Sequence, residues 1–321
     1  MTSKKVLVTG TSVRQDLLQP LIDVGLTVEN PTHLLTEEEL KEHLSNSVAY
    51  LLGGDEVASK EALSYAKELK VIAFLGMGYQ SFVDSDAATR AGIPITNTPG
   101  TLSNSVAEFT IGLLLSSTRR LFECATDYMN NNSGKEEKQH DLAALHVGII
   151  GLGGIGTRIA EILRKGFGSK VSYFSRTRKS HIEASLGVSF VEMQNLFENV
   201  DVLVLMTPLT PETSGMIGID EVEKMKKGII VINTARPEIM KPEALKHGLE
   251  SGIISYAAFD GFYEDTQLTS DLKSFGPQSI MITGHIGSLT HEARDGMAKK
   301  AVKSIINIIN NGRDENIVNG L

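Results

Sequence analysis

Six residues near the middle of the chain read Gly151-Leu152-Gly153-Gly154-Ile155-Gly156, a G-x-G-x-x-G pattern. An apolar run, Val147–Ile150, precedes the pattern, and an amphipathic stretch, Arg158–Lys165, follows it. This order predicts a strand, a tight turn and a helix, in which the glycines let the backbone approach a pyrophosphate at the helix N-terminus. Glycine-rich turns are common, so the pattern predicts dinucleotide binding only because it lies between a strand and a helix.

Short β-branched runs alternate with amphipathic stretches along the whole chain, which is the pattern of parallel βα units. The first series of strands is predicted at Val6–Thr9, Thr27–Glu29, Val48–Leu52, Val71–Leu75 and Ile93–Thr96. The second series is predicted at His146–Ile150, Lys170–Phe174, Val202–Met206, Ile229–Asn233, Ile254–Phe259 and Ile280–Thr283. Thr36 and Glu39 form a predicted capping box at one helix start. We therefore expect an α/β fold with parallel sheets covered by helices on both faces.

Two Gly-containing breaks, Asn97–Gly100 and Gly284–Gly287, flank the second series. They suggest a nucleotide domain inserted into a second domain. We expect the dinucleotide-binding domain at residues 98–289, and a substrate domain formed by residues 1–97 and 290–321.

The composition restricts the class of protein. The hydrophobic fraction of 41% and the charged fraction of 22% are typical of a soluble globular protein. A net charge of -8 argues against a nucleic-acid partner, and no apolar run is long enough for a transmembrane helix. The only cysteine, Cys124, suits a reducing cytoplasm, and no paired Cys or His spacing indicates a metal site.

The segment after the second strand of the nucleotide domain bears on the choice of cofactor. An NAD enzyme places Asp or Glu here to bind the ribose 2′-OH. This chain instead reads Ser175-Arg176-Thr177-Arg178-Lys179, with three cations and no carboxylate. Arginine can bind a 2′-phosphate through its planar fork. The segment therefore favours NADPH, with NAD as the weaker alternative; a solvated basic turn is the other interpretation.

Several further motifs occur in a characteristic order. They are Gly76-Met77-Gly78-Tyr79, Asn97-Thr98-Pro99-Gly100 with Ser105-Val106-Ala107-Glu108, Pro208-Leu209-Thr210-Pro211-Glu212-Thr213, Asn233-Thr234-Ala235-Arg236, Asp260 and His285-Ile286-Gly287-Ser288. With these motifs and the glycine turn, nearly the whole chain resembles the D-2-hydroxyacid dehydrogenase family, especially its NADP-linked glyoxylate and hydroxypyruvate reductases. The resemblance implies a flavodoxin-like substrate domain with an inserted NAD(P)-binding Rossmann domain.

The resemblance also implies roles for individual residues. Arg236 would bind the carboxylate and carbonyl of a 2-oxo acid, and His285 would protonate the carbonyl oxygen as hydride arrives. The substrate site would comprise Leu75, Gly76, Met77, Gly78 and Arg236, with the N–H groups around Met77 and Gly78 holding the carboxylate. The cofactor site would comprise Gly151, Leu152, Gly153, Gly154, Ile155, Gly156, Ser175, Arg176, Thr177, Arg178, Thr207, Pro208, Thr213, Thr234, Ala235, Arg236, Asp260, His285 and Gly287. Asp260 would fix the nicotinamide carboxamide.

The chemistry of the reaction supports the two central residues independently. Reduction of a 2-oxo acid needs a cation for the carboxylate and a proton for the developing alkoxide. Arg236 and His285 each follow an apolar strand, at the sheet edge where α/β proteins bind ligands. The alternatives are a surface cation for Arg236 and a structural histidine for His285.

The carboxylate that orients His285 is less well defined. The family carries Glu at the position of Asp265, whereas Glu264 lies one residue earlier. Asp265 is predicted as the catalytic partner of His285, with Glu264 as the alternative. Pro237 and Gly284 also depart from the family, which usually has Gly and Pro at these positions.

The predicted activity is hydride transfer from NADPH to a small 2-oxo acid, giving the D-2-hydroxy acid. One alternative is an NAD(P)-sensing binding protein, like the corepressors related to this family, and another is a dehydrogenase of a different small acid. The presence of Arg236 and His285 favours catalysis. The apolar helix predicted at Ser103–Thr118, the region through which similar family members pair, predicts a homodimer.

Overall fold

The computed structural model describes residues 4–10, 13–131, 139–264 and 266–321. The chain divides into two compact units, of which the first is Met1–Leu102 with Leu289–Leu321 and the second is Ser103–Ser288. The strands are β1 (Lys4–Val8), β2 (Leu26–Glu29), β3 (Ser47–Leu52), β4 (Ile72–Phe74), β5 (Ile95–Thr96), β6 (His146–Ile150), β7 (Lys170–Phe174), β8 (Ser189–Phe190), β9 (Val202–Leu205), β10 (Ile229–Asn233), β11 (Ile254–Asp260) and β12 (Ile280–Thr283).

The helices lie between these strands. They are α1 (Gln15–Asp23), α2 (Glu37–Ser45), α3 (Lys60–Tyr65), α4 (Ser85–Arg90), α5 (Ser103–Thr118), α6 (Leu121–Met129), α7 (Gly154–Ile162), α8 (Ser180–Leu186), α9 (Met193–Asn199), α10 (Ile219–Val222), α11 (Pro242–Ser251), α12 (Gln267–Lys273) and α13 (His291–Asn311).

The first unit contains a parallel sheet with the strand order β2-β1-β3-β4-β5 over its described residues. This is the flavodoxin-like order. Apolar residues of α1 and α13 pack on one face of the sheet, and those of α2, α3 and α4 pack on the other. All six residues of β3 are buried, as expected for a central strand covered on both faces. The predicted capping box is confirmed, because the Thr36 side chain accepts from the Glu39 N–H and the Glu39 carboxylate accepts from the Thr36 N–H.

The second unit contains a parallel sheet with the strand order β12-β11-β10-β9-β6-β7-β8, again counted over described residues. The order reverses between β6 and β9, which lie side by side, so the unit has a topological switch point at the carboxyl end of β6. The predicted fold class, parallel α/β with a flavodoxin-like order and a Rossmann-like order, is confirmed. The two-residue edge strand β8 was not predicted, since a strand this short carries no alternating pattern.

The long apolar helix α5 is buried within its own unit. It packs against α7, β10 and β11, and its buried residues include Val106, Ile111, Leu113 and Leu114. Its apolar character is therefore explained by packing inside the second unit. Among the exposed apolar side chains of the described residues, Tyr128 and Met129 at the end of the next helix, α6, are 84% and 82% exposed.

No helix among the described residues combines the length and apolar character needed to cross a membrane.

Candidate active site

The glycine turn follows β6 at the switch point of the second unit. Gly151 has φ +103°, and a Cβ built on it would lie 2.4 Å from the Met206 carbonyl oxygen. A Cβ on Gly156 would lie 2.1 Å from the Gly151 carbonyl oxygen. Both positions therefore require glycine, the first for the left-handed turn and the second for the contact between α7 and the end of β6.

The same turn leaves space on its outer side. A Cβ on Gly153 would have no neighbour within 4 Å, and α7 begins at the next residue, Gly154. The first N–H groups of a helix have no partner within it, and they favour an anion. The backbone is closely packed at Gly151 and Gly156 and has free space beside Gly153, where a pyrophosphate could lie. The described residues therefore fit a dinucleotide cofactor.

The basic segment after β7 contains two arginines with different surroundings. Arg178 forms a bidentate pair with Glu183, with Nε and Nη2 at 2.9 and 2.7 Å from the two carboxylate oxygens. Arg176 is exposed and forms no ion pair with any described residue. Ser175 donates from Oγ to the Thr177 carbonyl oxygen at 2.7 Å, which holds the turn between them. The structure thus places both arginines beside the strand end but leaves only Arg176 unpaired.

The predicted cofactor-lining turns follow β9 and β10. Thr213 donates from Oγ1 to the Pro208 carbonyl oxygen at 2.6 Å and accepts from the Thr210 N–H at 2.8 Å, which stabilises the turn after Thr207. Thr234 is buried, and its hydroxyl lies 2.7 Å from that of Thr110 on α5. These contacts give the predicted threonines structural roles in shaping the sheet edge.

Arg236 leaves the carboxyl end of β10 through a short, fixed turn. Asn233 donates from its amide to the Arg236 carbonyl oxygen at 2.8 Å and accepts from the Ala235 N–H at 3.1 Å. The guanidinium donates from Nη1 to the Ala235 carbonyl oxygen at 2.7 Å, which leaves other N–H groups of its fork for a ligand. Asn233 was not predicted as a site residue, although its place in the Asn-Thr-Ala-Arg motif marks it.

Asp260 holds the loop that carries His285. Its two carboxylate oxygens accept from the Ile286 and Gly287 N–H groups, each at 2.8 Å, and Oδ1 also accepts from the Thr283 hydroxyl at 2.8 Å. A Cβ on Gly287 would lie 2.9 Å from the carboxylate, so only glycine allows this contact. The role seen here is therefore loop positioning, in addition to the predicted contact with the nicotinamide.

His285 lies on this loop with a left-handed backbone, φ +57°. Desolvation by the surrounding protein lowers the pKa of its imidazole, and the positive charge of Arg236 lowers it further. The carboxylates of Asp260 and Glu238 act in the opposite direction. Arg236 and His285 follow the carboxyl ends of β10 and β12, which are separated by a single strand of the same parallel sheet.

The predicted carboxylate partner, Asp265, lies outside the described residues. Glu264 is exposed, and its carbonyl oxygen accepts from the Thr269 hydroxyl at 2.7 Å. The choice between the two residues stays a prediction.

In the first unit, the predicted substrate residues follow β4. Gly76 has φ +146°, and its N–H already donates to the Thr98 hydroxyl at 3.0 Å and to the Phe74 carbonyl oxygen at 3.1 Å. The N–H groups of Met77 and Gly78 donate to no described residue. Leu75 is partly buried and packs against the hydrophobic core of the first unit. Met77 and Gly78 thus carry the backbone donors that are open to a ligand.

Comparison with known proteins decides the family. Residues 111–287 match the family described as D-isomer specific 2-hydroxyacid dehydrogenase, NAD binding domain. The chain belongs to this family. It is accordingly an NAD(P)-dependent 2-hydroxyacid dehydrogenase, an enzyme that reduces a 2-oxo acid.

Similar proteins extend the match beyond the nucleotide domain. A glyoxylate reductase of Thermococcus litoralis is 37% identical over 81% of this chain and 80% of its own length. One of Thermococcus onnurineus is 34% identical over 98% of this chain and 96% of its own length. Among solved structures, a glyoxylate reductase from Paecilomyes thermophila superposes with a TM-score of 0.87 and 27% identity, covering 99% of both chains. Membership of this dehydrogenase family therefore rests on nearly the whole chain.

Proposed function

We propose that this dehydrogenase transfers hydride from NADPH to a small 2-oxo acid of the glyoxylate or hydroxypyruvate type, giving the 2-hydroxy acid, which has the D configuration where the product is chiral. The observation that carries the proposal is the placement of Arg236 and His285 at the sheet edge that carries the glycine turn. The similar proteins named glyoxylate reductase support the size class of the substrate.

The preference for NADPH rests on the segment after β7. The end of this strand and Ser175–Lys179 offer no carboxylate for a ribose 2′-OH, and Arg176 is exposed without an ion pair among described residues. Together with Ser175 and Thr177, it is proposed to bind the 2′-phosphate through charge-assisted hydrogen bonds. NAD is the weaker alternative cofactor.

The remaining roles follow from the groups that the loops present. The N–H groups of Met77 and Gly78 and the guanidinium of Arg236 are proposed to bind the substrate carboxylate. When bound, the nicotinamide cofactor supplies the hydride to the carbonyl carbon. His285, in its protonated form, donates the proton that the carbonyl oxygen takes up, so the product is a neutral hydroxyl.

We also propose which parts of the chain bind the cofactor and which bind the substrate. Residues 98–289 form the dinucleotide-binding domain, and residues 1–97 with 290–321 form the substrate domain. We further propose a cytoplasmic homodimer. The single cysteine supports the location, and the exposed apolar side chains of α6 support pairing.

The test is NADPH oxidation with glyoxylate, hydroxypyruvate, pyruvate and bulkier 2-oxo acids, repeated with NADH. We expect turnover with the small acids, and a kcat/KM for NADPH at least about tenfold above that for NADH, since one charge-assisted bond contributes roughly 1.5–3 kcal/mol. His285→Gln should lower kcat by about 10²–10⁴-fold while NADPH still binds. His247→Gln, which changes an exposed histidine paired with Glu223, is the matched control. Absence of turnover with every 2-oxo acid would refute the proposal.

A further inference from the structure

The two arginines of the basic segment differ in what surrounds them. Arg178 is engaged at Nε and Nη2 by both oxygens of Glu183 on α8, and its guanidinium lies 5.8 Å from the ring centroid of Phe190. A bidentate pair of this kind fixes the guanidinium plane and uses the fork that would otherwise face a phosphate. In this arrangement Glu183 occupies Nε and Nη2 of Arg178, so Nη1 is the guanidinium nitrogen that remains outside the pair.

Hydrogen bonds through Tyr173 of β7 connect Glu183 to the same segment. Its side chain is only 15% exposed, and it accepts a hydrogen bond from the Tyr173 hydroxyl at 2.9 Å. That hydroxyl in turn accepts from the Lys179 N–H at 2.7 Å. The Tyr173 hydroxyl is protonated at neutral pH, and burial raises its pKa further. Glu183 is thus a fixed negative charge directly behind the segment.

Arg176 has a different environment. It is exposed, and its charge contributes to lowering the pKa of Glu212, whose carboxylate is held mainly by a hydrogen bond from the Thr210 hydroxyl. Among the described residues no carboxylate pairs with Arg176. Its whole guanidinium fork is available to a ligand at the end of β7.

We propose that Glu183 is a specificity-determining residue that Arg178 neutralises, and that Arg176 is the arginine that binds the 2′-phosphate. This inference rests on the proposed use of NADPH. It assigns Arg178 a role different from the direct phosphate contact predicted from the sequence: Arg178 masks a carboxylate that would disfavour NADPH.

The physical reason is the sign of the charge that the segment presents. An acidic residue at this edge of a Rossmann sheet accepts hydrogen bonds from a ribose 2′-OH and repels a 2′-phosphate. Glu183 lies on α8 and not at the strand end itself, but it pairs with Arg178 of this segment at 2.7 Å, and this pair balances its charge. Removal of Arg178 alone leaves a carboxylate of unbalanced charge near the phosphate, whereas removal of both charges leaves the segment with Arg176 and Lys179.

The experiment is a double-mutant cycle in which the Kd of NADPH and the Kd of NADH are measured for each variant from the fluorescence of the cofactor. We expect Arg178→Ala to weaken NADPH binding about fivefold, because the unbalanced Glu183 carboxylate then repels the 2′-phosphate across a partly screened distance. The same change should leave the Kd of NADH unchanged or lower it. Arg178→Ala combined with Glu183→Gln should restore the NADPH Kd to within about twofold of the unmodified enzyme. Glu183→Gln alone should not weaken NADPH binding.

The other outcomes separate the two claims. If the double variant binds NADPH as weakly as Arg178→Ala, or if Arg178→Ala has no effect, Arg178 does not act by masking Glu183 and the inference is overturned. Arg176→Ala tests the proposed function separately, with an expected loss of about tenfold or more in NADPH binding only. If the unmodified enzyme binds the two cofactors equally and Arg176→Ala changes neither Kd, the NADPH preference itself is wrong. Thermal unfolding of each variant shows whether α8 is still folded.

Discussion

His285 has a backbone conformation that few residues other than glycine adopt, with φ +57°. Such a conformation costs of order 1–3 kcal/mol and persists only where the surroundings determine it. Here the next two N–H groups, of Ile286 and Gly287, are both held by the carboxylate of Asp260. The conformation of the proposed proton donor therefore depends on a buried acid that lies 25 residues earlier in the sequence.

The charge of Arg236 gives a prediction for the titration of His285. The pKa of His285 is lowered by desolvation and by Arg236, so at a given pH less of the imidazole is protonated than in a free histidine. Arg236→Gln removes one of these causes, and the pKa should rise. NMR titration of the His285 ring would measure the shift, with Arg313→Gln, an exposed arginine, as control. A pKa that falls or stays constant in Arg236→Gln would show that the two charges do not interact.

A second prediction distinguishes Asp265 from Glu264. A carboxylate that hydrogen-bonds His285 stabilises the imidazolium and raises its pKa. Asp265→Asn should therefore move the basic limb of the kcat/KM profile for reduction to lower pH, because His285 loses its proton sooner. Glu264→Gln should leave that limb in place. The opposite result would transfer the role to Glu264, and no shift in either variant would mean that His285 works without either residue.

At the scale of elements, the sequence predicted those strands that are long and buried. The bounds of β6, β7, β10 and β12 match the prediction, because each is rich in β-branched or aromatic residues and lies in a sheet of parallel strands. The two-residue strand β8, which has no such pattern, was missed. The pairing of Arg178 with Glu183 also could not be predicted, since it depends on how α8 turns back towards β7.

The capping box of α2 gives a prediction about stability. The Thr36 side chain satisfies the Glu39 N–H at the start of the helix. Thr36→Ala removes this bond and should lower the free energy of unfolding by about 1 kcal/mol. Ser64→Ala, at an exposed serine inside α3, is the control and should change it by less than about 0.5 kcal/mol. Chemical denaturation of the two variants measures both values; equal effects would mean that the cap contributes nothing specific.

For the molecule as a whole, the fold class could be predicted because several independent sequence patterns indicate the same fold. Alternating strands and helices, two breaks and one glycine turn agree on parallel sheets, and both sheets have the corresponding strand orders. Surfaces are harder to predict. The apolar pattern of α5 led to a dimer prediction, but that helix packs inside its own unit, whereas Tyr128 and Met129 of α6 are strongly exposed.

The proposed dimer can be tested on α6. Four apolar side chains of this helix, Leu121, Phe122, Tyr128 and Met129, are between 49% and 84% exposed. We expect a dimer in light scattering at micromolar concentration, and a monomer for Phe122→Glu combined with Met129→Glu. Ile22→Glu, at an equally exposed apolar residue of α1, should remain dimeric. A monomeric unmodified protein, or a dimer that survives the α6 variant, would show that α6 is not the interface.

The products of the reaction show whether NADPH reduces a 2-oxo acid on this enzyme. The enzyme is incubated with hydroxypyruvate and a limiting amount of NADPH, and the enantiomers of the 2-hydroxy acid are separated and quantified against the NADPH consumed. We expect one molecule of the D-2-hydroxy acid for each NADPH oxidised, and a strongly reduced rate in His285→Gln. Formation of the L-enantiomer, oxidation of NADPH without a 2-hydroxy acid, or no oxidation at all would contradict it.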